Sequence, residues 1–345
     1  MKGLFTSLSL LYQGGCKIKN AFFDLQILKA KRAPFPVISI GNLVFGGSEK
    51  TPLAMALIGE LLEQNHKPAL ITRGYRGRWE RKGGVLSAGK GVLGTWEDAG
   101  DEAFMVALNF PKAGVFIGKE RLTSCRSAYL HGFELAVCDD AFQHRKLYRD
   151  IDIVLYNPSE KNPLREPVTS LKRAHILLMK QNIDAKIRNA TATRFPHLEA
   201  FTYSVSTEGF FCMDGMTRED VDSLRRKKLL AFCGIARPQR FMAQLASEDI
   251  HPCCFLQFPD HHAYPPATRN KILAALQRER AEVMITTEKD SVKIRDFAIF
   301  QEIPTFYLKI GIRTEQAFSE RIKKLLKEKD GPLKKRTIKS DASSS

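Results

Sequence analysis

Lys50 and Thr51 close a glycine-containing stretch, GNLVFGGSEKTP, that runs from Gly41 to Pro52. An apolar VISI precedes it and an amphipathic LAMALIGELLEQ follows. Strand, turn, Lys-Thr and helix is the setting in which backbone N–H groups cradle phosphates, the lysine reaches the β- and γ-phosphates and the threonine hydroxyl holds Mg2+. Gly46 and Gly47 are free to take positive φ and turn their N–H groups toward an anion. With Ser48, Glu49, Lys50 and Thr51 they form the candidate nucleotide loop. Pro52 suits the first turn of a helix, and the helix N-terminus adds its own attraction for phosphate. Two positions depart from G-x-x-x-x-G-K-[ST]: Val44 stands at the first glycine and Glu49 at the second. At positive φ a glutamate there is strained by about 1–3 kcal/mol. Its charge opposes phosphate unless it points away or pairs with a lysine or arginine.

Further stretches carry side chains of the same chemistry. ELAVCDDAFQHRKL is an apolar run ending in Asp139 and Asp140, followed by Gln143 and His144. A carboxylate at the C-terminal end of a strand lies on the rim where ligands bind in parallel sheets, and it suits Mg2+. Adjacent aspartates repel unless cations or donors compensate them; the plainer reading is a strand-to-turn cap. AGDEAF offers Asp101 and Glu102 as a helix cap or as a general base. FPDHHAYPP gathers Asp260, His261 and His262 without a third close metal ligand, so a structural turn is its plainer reading. TRGYRGR supplies Arg73, Arg76 and Arg78, apt for anionic oxygens or else a solvated basic loop.

These residues need a frame. VISI (37–40), ALIT (69–72), GVFI (114–117), ELAVC (134–138), DIVLY (152–156) and HILLM (175–179) are short apolar runs with helix-like stretches between several of them. Ala54, Leu57, Ile58, Leu61 and Leu62 mark one helical face. Continuous apolar strands alternating with helices predict an α/β fold with a parallel sheet covered on both sides. Near residue 198 the pattern changes: EAFTYSV and GFFCMDG read as two extended segments joined by STEG, a hairpin linking two halves. A second α/β set follows, with KLLAFCGI (228–235), a helix from Pro238, HPCCFLQF (251–258), a helix through KILAALQRER, AEVMITT (281–287) and TFYLKI (305–310). The boundaries read as 1–32 for an N-terminal amphipathic segment, 33–200 for the loop-bearing domain, 201–227 for a hairpin-like linker, 228–328 for a second α/β domain and 329–345 for a disordered basic tail.

The 345 residues carry a formal charge of +16, which implies a polyanionic partner or an anionic membrane surface. Seven cysteines without a C-x-x-C pair fit a reduced chain without structural zinc. No apolar run is long enough to span a bilayer, and the N-terminus lacks a small-residue cleavage site. Leu4, Leu8 and Leu11 recur at helical spacing, and Phe22, Leu25 and Leu28 follow among lysines. That pattern suits a helix lying in a membrane interface or one docked on the protein's own core.

Taken in order, GNxxxGGxxKTP, TRGY, GDE, DDAFQH, PLREP, AFCGIARPQRF, FPDHH and TTEKD closely resemble the tetraacyldisaccharide 4′-kinases of lipid A biosynthesis in Gram-negative bacteria, from about residue 10 to about residue 325. The resemblance implies a P-loop NTPase-like α/β fold of two α/β/α domains, with mostly parallel sheets joined by a β-stranded linker. It implies ATP and Mg2+ as cofactors, and a lipid A disaccharide precursor phosphorylated on its 4′-hydroxyl. It implies a peripheral protein on the anionic cytoplasmic face of the inner membrane. By position, Lys50 and Thr51 match the phosphate and Mg2+ residues, and Asp101 the proposed base, partnered by His261 or His262. Asp139, Asp140, Gln143 and His144 match the metal and active-site motif, while Arg73 and Glu166 fall in further motifs. The usual glycine is replaced by Glu49 in the loop and by Ala141 in DDAFQH. The rival readings are a P-loop kinase of a soluble sugar or nucleoside, and a degenerate nucleotide-binding module. The second has no need of a base. No nucleic-acid reading motif is present and no obligate protein partner is indicated.

Overall fold

The computed structural model describes residues 15, 16, 18–46, 49–158 and 163–333. Their strands are β1 (Val37–Asn42), β2 (Pro68–Thr72), β3 (Gly84–Ala88), β4 (Gly114–Ile117), β5 (Leu135–Asp139), β6 (Ile151–Leu155), β7 (Ile176–Lys180), β8 (Glu199–Cys212), β9 (Arg218–Glu219), β10 (Leu229–Cys233), β11 (Cys254–Gln257), β12 (Val283–Thr287) and β13 (Thr305–Thr314). They form one sheet in the order β11-β10-β12-β13-β8-β7-β6-β1-β5-β2-β4-β3, with β9 beside β8. From β8 to β4 every pairing is parallel, and so is every pairing from β13 to β11. The two parallel blocks meet where β13 runs antiparallel to β8. The expected apolar runs are the strands, and β1, β4, β5, β6 and β10 are buried along their whole length. Burial on both faces is why they read as continuous rather than alternating.

The register of the junction decides where the strand ends point. Lys180, the last residue of β7, pairs with Tyr203. Thr287, the last residue of β12, pairs with Leu308, and Leu308 pairs with Phe210. Each block therefore directs its C-terminal strand ends at the middle of the β8–β13 ribbon, from opposite sides. The span from Tyr203 to Phe210 is about 23 Å at about 3.3 Å per residue. Ligands bind outside the C-terminal ends of such sheets, so the two rims share one space.

Two expectations change. The stretch 199–212 is one strand rather than two arms of a hairpin. STEG stays in the ladder because a register shift between Lys309 and Ile310 is absorbed at Gly209, whose φ is 148°. The only turn is the short return to β9, which pairs Phe210 with Glu219. The end of the second domain also moves. After β13 the chain emerges beside β8's first half, and Phe318, Ile322, Leu325 and Leu326 of the helix Gln316–Leu333 join the core of the first block. Residues 334–345 of the expected tail lie outside the described part.

The helix Lys50–Glu63 joins β1 to β2 and buries Leu53, Ala54, Leu57, Ile58 and Leu61 in that same core. Gly41, near the end of β1, is where another backbone comes closest. A Cβ there would lie 2.4 Å from Phe142 Cβ and 3.1 Å from Phe142 N. β1 is held between β5 and β6 and has no direction in which to retreat. Gly41→Ala is expected to cost about 1–3 kcal/mol by overpacking, read as a lowered urea midpoint with unchanged slope.

Candidate active site

The shared space is a cavity of about 1030 Å³. Among the described residues, twelve Lys and Arg side chains line it against eight carboxylates, a balance that favours an anionic ligand. Its walls come from the loop after β1, the ends of β2 and β5 and the helix Asp101–Asn109 on one side. The loops after β10, β11 and β12 supply the other, and Val205, Leu308 and Ile310 of the ribbon lie between them.

At the β1 loop, Gly46 has φ 93° and the helix begins at Lys50. Gly47 and Ser48 lie outside the described residues. Thr51 is buried and its Oγ1 donates to Asp139 Oδ2 at 2.9 Å. Among the described residues, the other oxygen of Asp139, Oδ1, is buried with no hydrogen-bond partner. Burial, with Glu102 nearby, pushes this carboxyl up to about 6 against the pull of Lys50. Its neighbour behaves oppositely. Asp140 accepts from Arg165 Nη1 at 2.9 Å on both oxygens and lies 3.5 Å from Lys50 Nζ. These cations outweigh its burial and hold it down to about 2. Among the described residues no cluster of three His, Cys, Asp or Glu side chains could hold a metal. Mg2+ needs less: one or two protein oxygens, with phosphates and waters completing the shell. The hydroxyl of Thr51 and the orphaned oxygen of Asp139 meet that requirement, whereas the carboxylate of Asp140 is already matched by cations.

Across the cavity, Asp101 opens its helix and is buried. Gly100 before it has φ 86°, and a Cβ there would meet Tyr75 O at 2.8 Å. Asp101 accepts from the Glu102 amide at 3.0 Å, and both its oxygens lie 2.9 Å from His261 Nδ1. Lys293, fully buried, is 3.5 Å from Asp101 and 2.8 Å from Asp290. Burial alone would raise the Asp101 carboxyl; the His261 hydrogen bond with Lys289 and Lys293 takes it well below the usual carboxylate range. Asp101 is therefore an anion, and Nδ1 of His261 is the donor. His262 takes no part. Its ring stacks on Phe258 at 5.0 Å between centroids and its Nε2 meets Thr268 Oγ1 at 2.8 Å. The chain turns sharply between them, with His261 at φ 61°, so adjacent histidines face different surroundings.

The family model for tetraacyldisaccharide-1-P 4′-kinase matches residues 1–327. The chain belongs to this kinase family. A tetraacyldisaccharide 4′-kinase from Syntrophus aciditrophicus is 30% identical over an alignment of 344 residues, covering 93% of this chain and 92% of that protein. Another from Desulfotalea psychrophila is 32% identical over 333 residues, covering 92% and 94%. In fold the chain is similar to a crystal structure of LpxK from Aquifex aeolicus in complex with ATP, with TM-score 0.74, 27% identity and coverage of 94% of this chain and 98% of that one.

The remaining residues singled out from the kinase motifs divide between cavity and scaffold. Arg73 lines the cavity while paired with Glu80 at 2.6 Å. Gln143 donates to Asn42 O at 2.8 Å, and its buried Oε1 has no partner. His144 lines the cavity, and burial with Arg121 and Lys19 lowers it to about 4, so it is neutral there. Glu166 is set behind the wall, buried and salt-bridged to Arg173, with Asn20 Nδ2 at 3.5 Å. Sequence reading passed over Arg121, Arg165, Arg240 and Lys289. Arg165 and Lys289 stand inside quoted motifs, PLREP and TTEKD, and a cation beside a conspicuous acid was the available signal.

Glu49 resolves its own oddity. It has φ 55° and ψ 21°, so the left-handed turn of a glycine is kept by a glutamate. Its carboxylate is salt-bridged to Arg240 of the second block, lies 3.7 Å from Lys180 Nζ and accepts from Tyr203 Oη at 3.4 Å. The charge is thus spent on cations that flank the candidate nucleotide loop. Glu49→Gly relieves the backbone and removes an anion from beside the nucleotide. ATP affinity should rise about tenfold, about 1.4 kcal/mol, measured by calorimetric titration; unchanged or weaker binding would show that the bridge instead shapes the loop.

Proposed function

We propose that the chain transfers the γ-phosphoryl group of ATP, with Mg2+, to the 4′-hydroxyl of a tetraacylated glucosamine disaccharide 1-phosphate. One observation carries the reading: the Asp101–His261 pair and the Lys50–Thr51–Asp139 cluster, from opposite sheet rims, line the same cavity. Mg2+ with ATP supplies a phosphoryl group whose charge is already partly neutralised. Thr51 Oγ1 and Asp139 Oδ1 would hold the metal, and Lys50 at the helix N-terminus would meet the phosphates.

Asp101 would receive the hydroxyl's proton as the new O–P bond forms and the bond to the ADP leaving group breaks. A carboxylate held so low is a weak base. Phosphoryl transfer through a loose transition state asks little of its base before bond formation is advanced, and positioning carries most of the rate. His261, donating from Nδ1, fixes the carboxylate's direction. Radiolabel transfer from γ-labelled ATP to tetraacyldisaccharide 1-phosphate in detergent micelles tests this. Asp101→Asn is expected to lose about 10²- to 10⁴-fold in kcat with the ATP KM nearly kept. Full activity in that variant would remove Asp101 from the mechanism.

We also place the chain on a membrane surface. Among the described residues no helix is long and apolar enough to cross a bilayer. Residues 18–24 are helical, and Phe23 is buried under Arg145 while Ile18, Phe22, Leu25, Ile27 and Leu28 are exposed. Lys29 and Lys31 are exposed beside them. One face docks on the protein and the other offers apolar area with a cationic margin, the character of an interfacial segment. Leu4, Leu8 and Leu11 lie outside the described residues. Leu25→Asp with Ile27→Asp should reduce flotation with anionic vesicles about tenfold or more while transfer to a micelle-dispersed substrate persists.

A further inference from the structure

Lys289 is a half-buried cation, its side chain 18% exposed, to which the mechanism above gives no task. It stands in the short helix Glu288–Ile294, which follows β12 and packs against the helix Asp101–Asn109. Its Nζ lies 3.0 Å from Glu102 Oε1, 3.4 Å from Asp260 Oδ1 and 3.3 Å from His261 Nε2. The last contact is the informative one. An ammonium has three donors and no acceptor, so in the contact with Lys289 Nε2 is the acceptor, with Asp260 Oδ2 at 3.7 Å from the same nitrogen. The proton of a neutral imidazole then sits on Nδ1, which faces the Asp101 carboxylate.

The surroundings of His261 make that state one that needs support. Asp101 lies at 2.9 Å and Asp260 at 3.7 Å, on either side of the ring. Both favour imidazolium. Glu102 adds a third negative charge through Lys289, and Tyr75 covers the ring edge at 5.3 Å between centroids. Lys293 counters from behind Asp101, on the Nδ1 side. Arg76 spends one donor on the Asp260 carbonyl at 3.0 Å. Among the described residues only Lys289 sets a positive charge against Nε2 itself. Burial would weaken its ammonium; Glu102, Asp101 and Asp260 outweigh burial and hold it charged.

We propose that Lys289 is a positioning residue of the reaction: its ammonium keeps His261 neutral in the Nδ1–H tautomer, so that Asp101 is hydrogen-bonded by an imidazole rather than neutralised by an imidazolium. An imidazolium in its place would stabilise the anion further and leave a poorer proton acceptor. The proposal rests on Asp101 being the acceptor in phosphoryl transfer, but the tautomer is measured separately from the rate.

The test uses the full chain labelled with ¹⁵N-histidine, with His261 assigned by the signal lost in His261→Gln. In the wild type His261 should show the Nδ1–H pattern at neutral pH. Lys289→Met should move it toward imidazolium and shift the acid limb of kcat upward by about one to three pH units. At neutral pH kcat should fall about 10²-fold, with the ATP KM unchanged. Lys289→Arg, which keeps charge and donors, should restore the tautomer and most of the rate. If Lys289→Met does not fold, the double variant Glu102→Gln/Lys289→Met removes both members of the ion pair and is read the same way. A wild type with its proton on Nε2, or a variant with unshifted tautomer and acid limb, overturns the proposal. No transfer by the wild type, with the tautomer as expected, would sink the kinase reading instead and leave the assignment of Lys289 to His261 standing.

Discussion

The antiparallel pairing of β8 with β13 is the constraint on which the rest depends. A parallel block gathers its helix N-termini and loop donors at one rim. Two such blocks joined in the same direction would set their rims side by side, facing the same way. The ribbon reverses one block against the other, and its register brings β7 and β12 to end at either side of the ribbon's middle. The candidate nucleotide loop on one rim then looks toward the His261 loop on the other. Polar contacts across the gap hold this arrangement. Asn109 donates to Glu288 at 2.7 Å and accepts from Lys309 at 2.7 Å, joining a helix of the first block to β13 and to the helix after β12. Burial raises the Glu288 carboxyl to about 7 in spite of the Asn109 hydrogen bond, a sign of how dry this seam is.

Convergence of two rims also concentrates charge, and the carboxylates are sorted by what each neighbour supplies. Asp140 meets guanidinium and ammonium, Asp101 meets imidazole and two lysines, and Asp139 meets a single hydroxyl. Three aspartates of one cavity are thereby set at different acidities without any change of residue type. Asp139, the least compensated, is the one with a lone pair to give to a cation. The buried Lys293–Asp290 pair behind Asp101 follows the rule for interior ions: removing one member would strand the other at several kcal/mol, about 3–5. Such a pair contributes little net stability and much rigidity of position.

The strands and their parallel character were legible because burial on both faces leaves an unbroken apolar run, as in GVFI and ELAVC. The long strand β8 was not. STEG is polar and contains a glycine, features shared by turns and by a bulged strand in a ribbon's middle, and only the partner strand distinguishes them. The placement of Asp101, Asp139 and Thr51 on the cavity was legible because carboxylates and hydroxyls at strand ends and helix starts fall on the rim of such a sheet. The choice between His261 and His262 was not, because it depends on one left-handed residue. The placement of Glu166 was not legible either: its motif lies near the cavity, and its side chain turns into the wall toward Arg173. Arg240 was invisible as an individual, since an arginine in a basic chain gives no signal until its partners are known, while Lys289 stood beside the acids of TTEKD.

The N-terminal segment meets the site at an informative place. Arg145, next to His144, stacks over Phe23 at 5.0 Å and binds Asp24 at 2.7 Å and the Asn20 carbonyl at 2.9 Å. Lys19 donates to the Gln143 carbonyl at 3.1 Å. The segment with the exposed apolar face is thus fastened to the loop that begins at Asp139, the candidate metal ligand. If that face lies in a bilayer interface, the loop beneath it lies at the interface too, and the cavity lined by Lys19, His144 and Arg145 borders it. The acyl chains then need no pocket of their own, because the membrane keeps them. A cavity of about 1030 Å³ in which lysines, arginines and carboxylates stand among apolar side chains such as Val205, Phe241, Leu308 and Ile310 suits the phosphates and the sugar.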